Sequence, residues 1–133
     1  MITTLDVLSV GSLDSNNFVR DVLLSRTKCR LVAATSVWDL SAALTSGDID
    51  VVILHDTVPP GELRSSAHYI RHHWPNARIL LIHPQAEILD DPMFDERLQP
   101  DSSPEDLLVM IERLAAHARQ RRRHELNRER AES

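Results

Sequence analysis

Short, wholly apolar runs alternate along the chain with longer stretches in which apolar residues recur every third or fourth position. This is the pattern of a parallel α/β sheet with helices on both faces. The first run, Leu5-Asp6-Val7-Leu8-Ser9-Val10, stops at Gly11-Ser12. A helix is predicted from about Ser15, because Phe18, Val19, Val22 and Leu23 share one helical face. The second run is Arg30-Leu31-Val32-Ala33-Ala34-Thr35, after which Ser36 reads as an N-cap, with Val37, Leu40 and Leu44 turned inward and Gly47 closing that helix. Val51-Val52-Ile53-Leu54 is the strongest strand, a continuous apolar run of the kind buried on both faces of a parallel sheet. Pro59-Pro60-Gly61 is expected to end it with a loop. Leu63, Ala67, Ile70 and Trp74 mark the next helix, ended by Pro75-Asn76. Ile79-Leu80-Leu81-Ile82 is a further fully apolar strand. Between Gln85 and Arg97 the pattern supports at most a short helix around Ala86–Asp90, and Arg97-Leu98-Gln99 is a faint fifth strand. The last helix has Ser103 as N-cap, Pro104 at its first position, and Leu107, Ile111, Leu114 and Ala118 on one face.

Five strands separated by crossovers in so short a chain predict a flavodoxin-like, doubly wound sheet of order 2-1-3-4-5, with a shortened fourth helix and a lengthened last one. The 133 residues suffice for one domain with one core. Charge then divides the chain. Residues 1–118 hold 9 basic and 17 acidic side chains, a balance of −8, whereas residues 119–133 hold 6 basic and 3 acidic, a balance of +3. The expected organisation is an acidic domain over 1–118 and a basic extension over 119–133, helical or disordered. If helical, Pro104 to Ser133 would reach about 45 Å. The Arg119-Gln120-Arg121-Arg122-Arg123 run suits an acidic partner, but Glu125, Glu129 and Glu132 interleave with the arginines and no aromatic is available to stack on bases. A solvated extension is the first expectation, partner binding the second and nucleic acid the last. No apolar run is long enough to span a membrane, and Met1–Asp6 lacks the basic start of a secretory signal. Cys29 is the single cysteine and cannot form an internal disulfide, which fits the cytoplasm.

Two segments carry a family resemblance. In Asp50-Val51-Val52-Ile53-Leu54-His55-Asp56-Thr57-Val58-Pro59, an acidic residue and four apolar ones lead to a polar position followed four residues later by proline. Leu98-Gln99-Pro100-Asp101-Ser102-Ser103-Pro104-Glu105-Asp106-Leu107-Leu108 pairs a strand end with a Ser-Pro-Glu-Asp-Leu helix start. At this separation and strand count, residues 5 to about 118 resemble the response-regulator receiver (CheY-like) family of two-component signal transduction. The resemblance implies a phosphoacceptor Asp at the end of the third strand, and here that position is His55. The acidic pair that binds Mg²⁺ falls on Gly11 and Ser12, the switch Ser/Thr on His83, and the Lys on Pro100.

Phosphoryl transfer to a carboxylate concentrates negative charge, which a divalent cation and a lysine must neutralise. Mg²⁺ takes hard oxygen ligands, yet Gly11 has no side chain and Ser12 offers a neutral hydroxyl. Asp56 is the one nearby carboxylate, and on a regular strand it would face away from His55. The expected function is therefore that of a pseudo-receiver, a phosphorylation-independent signalling module working by protein–protein contact. Its expected partner is another protein, a second copy of the chain included, with no cofactor, no catalytic residue, no metal ligand, no nucleic acid and no membrane. Two alternatives remain: Asp56 as fallback phosphoacceptor, or a metal- or ligand-sensing pocket built on His55 and His83. His68, His72 and His73 include an i, i+4 pair but read as a solvated helix face. No Ser/His/Asp or Cys/His arrangement and no phosphate-binding Gly-rich loop points to an enzyme.

Overall fold

The structure is a computed structural model and describes residues 5–26, 29–36, 49–84 and 93–132. The helix predicted between Ser36 and Gly47, with Trp38, and the short fourth helix around Ala86–Asp90 lie outside the described residues. Five strands, β1 (Leu5–Val10), β2 (Cys29–Ala34), β3 (Val51–Leu54), β4 (Arg78–Ile82) and β5 (Glu96–Leu98), form one sheet in the order β2-β1-β3-β4-β5. Every pairing is parallel. Helices α1 (Leu13–Arg26), α2 (Pro60–His73) and α3 (Pro104–Glu132) complete the described elements.

The period-2 geometry of the strands divides the core between the two faces. Leu8, Val52, Leu54, Ile79 and Leu81 point to one face, where α2 lays Leu63, Ala67 and Ile70. Val7, Val51, Ile53 and Leu80 point to the other, covered by Val19 and Val22 of α1 and by Leu107, Ile111 and Leu114 of α3. All four residues of β3 are inaccessible to solvent, as its central place and apolar run require.

Two local expectations are corrected. Pro60-Gly61 is not loop but the first turn of α2, with Pro59 as N-cap and the Glu62 N–H donating to the Pro59 carbonyl. Proline suits that position because the N–H it lacks would have had no intrahelical partner. Phe18, expected on the buried face of α1, is 44% exposed. At the other end of the chain Ser103 caps α3 as predicted, its hydroxyl accepting the Asp106 N–H at 3.1 Å. The helix then runs to Glu132, 29 residues in all.

Candidate functional site

The carboxyl ends of β1, β3, β4 and β5 open on one side of the sheet, the usual ligand edge of a doubly wound fold. His55 follows Leu54 directly and is only 3% exposed. Its N–H donates to the Val10 carbonyl at 3.0 Å, and a 2.7 Å hydrogen bond links its Nε2 to Ser9 Oγ on β1. Ser9 is itself fully buried. Burial holds the imidazole neutral, pushing its pKa from 6.5 down to about 4 against a smaller upward pull from Asp56. His55 is thus anchored inside the sheet edge.

The turn after β1 is built around that ring. Gly11 has φ +152°, a conformation side chains rarely adopt, and a Cβ there would stand 2.6 Å from Thr57 Oγ1 and 2.8 Å from His55 Cβ. The Ser12 N–H donates to Thr57 Oγ1 at 2.8 Å. Position 11 has no room for a carboxylate, and His55 and Thr57 occupy the ground in front of it. Mg²⁺ does not fit this donor set: Gly11 and Ser12 bring no anionic oxygen, and His55 is a buried, neutral imidazole. Among the described residues no cluster of three or more His, Cys, Asp or Glu could hold a metal ion.

Asp56 behaves differently from the strand-based expectation. The Val58 N–H turns back to the His55 carbonyl at 3.0 Å, so the chain has left strand geometry at Asp56. In consequence His55 and exposed Asp56 line the same cavity, of about 200 Å³, together with Gln99, Pro100 and Ser102. Phe18, Ile82, Leu98 and Leu107 complete it. His83 sits at the end of β4 with its N–H on the Leu98 carbonyl at 3.1 Å, and it is not among the residues lining that cavity. The structure therefore brings together His55, Asp56 and Pro100, packs Gly11 and Ser12 behind them against Thr57, and leaves His83 to one side. Ser9, Thr57, Phe18, Gln99 and Ser102 escaped the sequence reading. Ser9 alone carried a signal, as a hydroxyl inside an otherwise apolar strand end.

The three histidines of α2 do not line this cavity. His68, His72 and His73 are exposed on α2, where the His73 ring stacks on Tyr69 at 4.1 Å. At the opposite end of the sheet Asp50, 2% exposed, accepts the Asp6 N–H at 3.0 Å and an Arg119 guanidinium N–H at 3.2 Å.

No protein-family model matches the sequence, and neither does any curated protein. Solved structures do match the fold. The signal receiver domain of an HD domain-containing protein from Pseudomonas fluorescens Pf-5 superposes with a TM-score of 0.76 at 18% identity, over 92% of this chain and 96% of that one. The chemotaxis response regulator CheY4 of Vibrio cholerae gives 0.66 at 19% identity, over 84% and 99%. A structure described as adenylate cyclase from Rhodopirellula baltica gives 0.76 at 15% identity, over 95% and 98%. The chain has the flavodoxin-like fold of response-regulator receiver domains.

Proposed function

We propose that the chain is a pseudo-receiver, a signalling module that works by contact with other proteins and does not accept a phosphoryl group. The observation that carries this reading is the position of His55. It is locked to Ser9 and packed on a Gly11 turn that admits no side chain, at the position the receiver resemblance assigns to the acceptor. Pro100 replaces the counter-charge that a phosphorylated carboxylate would need. The receiver fold, shared with solved signalling proteins, supports a protein partner, a second copy of the chain included. No described helix is long and apolar enough to cross a membrane.

A second reading rests on Asp56, the one exposed carboxylate at the cavity among the described residues, as acceptor in place of His55. Intact mass after treatment with acetyl phosphate and Mg²⁺ separates the two. The proposal expects no adduct. A stable gain of about 80 Da, one phosphoryl group, that disappeared in Asp56→Asn would establish the second reading instead.

A further inference from the structure

Phe18 is one of two large apolar side chains left in water among the described residues; the other is Val109. Its neighbours Val19 and Val22 are buried, whereas Phe18 stands at the rim of the cavity between α1 and the carboxyl ends of β4 and β5. Ile82, Leu98 and Leu107 supply the other large apolar side chains of the cavity's lining. An aromatic ring beside an apolar hollow offers a face against which a flat ligand can pack.

The polar lining is just as selective. His55, Asp56, Gln99 and Ser102 reach the cavity, and among the described residues no Lys or Arg does. Ser9 already engages one nitrogen of His55. Among the described residues the Asp56 carboxylate and the Gln99 side-chain amide make no hydrogen bond, so both remain available to a ligand. His55 stays neutral at physiological pH because of its burial, and Asp56 is the one carboxylate on the wall among the described residues. An anion entering here would meet one like charge and no counter-charge, while a cation would find its partner. At about 200 Å³ the hollow is smaller than a drug-sized site.

We infer that this cavity is a binding site for a small organic cation, a primary amine on a flat apolar body, with Asp56 pairing the ammonium group and Phe18 and Leu98 holding the body. The inference goes beyond the contact-module reading and does not depend on it: a ligand at this edge would regulate the module's contacts, but phosphoryl transfer is measured separately. Gln99 and Ser102 supply further polar contacts at the amine end, and Ile82 and Leu107 add to the apolar lining.

The test is an NMR titration of the full ¹⁵N-labelled chain at neutral pH with phenethylamine, 2-phenylethanol and phenylacetate. These probes share a ring and differ in charge. Phenethylamine is expected to give saturable shifts at the amides of residues 55–58 and 98–102, with an affinity at least ~10-fold above that of phenylacetate. Asp56→Asn should bring the amine down to the affinity of the alcohol and leave the alcohol's own binding intact. Ser102→Phe, which fills the cavity from an exposed loop, should remove the response to all three while the amide spectrum stays folded. Shifts that do not saturate, that fall elsewhere, or that are as strong for phenylacetate as for phenethylamine would overturn the site. So would an Asp56→Asn protein that still preferred the amine.

Discussion

His55 shows how one side chain sets a measurable property of the fold. Its folded pKa of about 4 lies below the ordinary 6.5, because burial penalises the charged ring. Between those two values the unfolded chain binds a proton that the folded chain refuses, so acid favours unfolding. The contribution is fully present above about pH 6.5 and is lost as pH falls towards 4, with a ceiling of about 3 kcal/mol. Urea unfolding at several pH values should therefore show a falling midpoint in the parent and a much flatter profile in His55→Gln. Parallel profiles would mean that His55 titrates as an exposed ring. Gly11→Ala tests the same corner from the other side, since the added Cβ meets Thr57 and His55 in a backbone conformation that disfavours it. A loss of about 2–3 kcal/mol in unfolding free energy is expected. An unchanged midpoint would mean that the turn relaxes freely. The placement of His55 at the strand end was readable from the apolar run before it. Its bond to Ser9 was not, because it depends on the pairing register that sets Ser9 beside Ile53. Nor was the reach of Asp56 into the same cavity, because the chain leaves strand geometry there and period-2 reasoning stops applying.

Elements whose apolar periodicity was unbroken were the legible ones. β1 and β3 fall on the predicted residues, and β4 differs only by Arg78 at its start. β5 is shifted by one residue, as its weak and half-exposed sequence allows. Pro59-Pro60-Gly61 misled because proline and glycine signal a turn, while proline is equally suited to the first turn of a helix. Ile53→Asp should abolish cooperative unfolding, since it removes one of four wholly buried side chains and puts a charge at the centre of the sheet. A sigmoidal melt at the parent's temperature would displace β3 from the centre. For α3 the decisive residue is Arg119. It lies one position past the apolar stripe that ends at Ala118, yet its guanidinium meets buried Asp50. Deleting 122–133 should leave the melting temperature nearly unchanged. Arg119→Ala should cost about 1–2 kcal/mol, discounted from the penalty for a fully buried pair because Arg119 is 30% exposed and Asp50 keeps the Asp6 N–H. A silent Arg119→Ala would show that Asp50 needs no counter-ion. The charge pattern divided the chain at 118/119 without revealing this contact, because Asp50 is far from Arg119 in sequence and looks like any strand-flanking acid.

At the scale of the molecule, a receiver fold becomes a phosphorylation switch only if the charged group interacts differently with two states of the protein. That difference needs oxygen ligands for a cation and a positive side chain at the carboxyl edge of the sheet. Here the edge offers a glycine with no room for a side chain, a serine whose N–H is spent on Thr57, a neutral buried histidine and an exposed proline. Asp56 alone is a poor cage for Mg²⁺, which prefers several hard ligands in octahedral geometry. Binding weaker than a Kd of about 10 mM would add less than about 0.5 kcal/mol at 10 mM Mg²⁺, a shift in melting temperature of no more than a few degrees. The expected outcome is therefore a melting curve and an amide spectrum that barely respond to Mg²⁺ and do not respond further when beryllofluoride is added. A saturable change that needed both Mg²⁺ and beryllofluoride, and that vanished in Asp56→Asn, would show that the edge can still hold a phosphoryl-like group. Regulation would then return to phosphorylation. Without such a change, differential binding at this edge must come from something other than a phosphoryl group, and the acidic cavity beside His55 sets the chemistry of what fits.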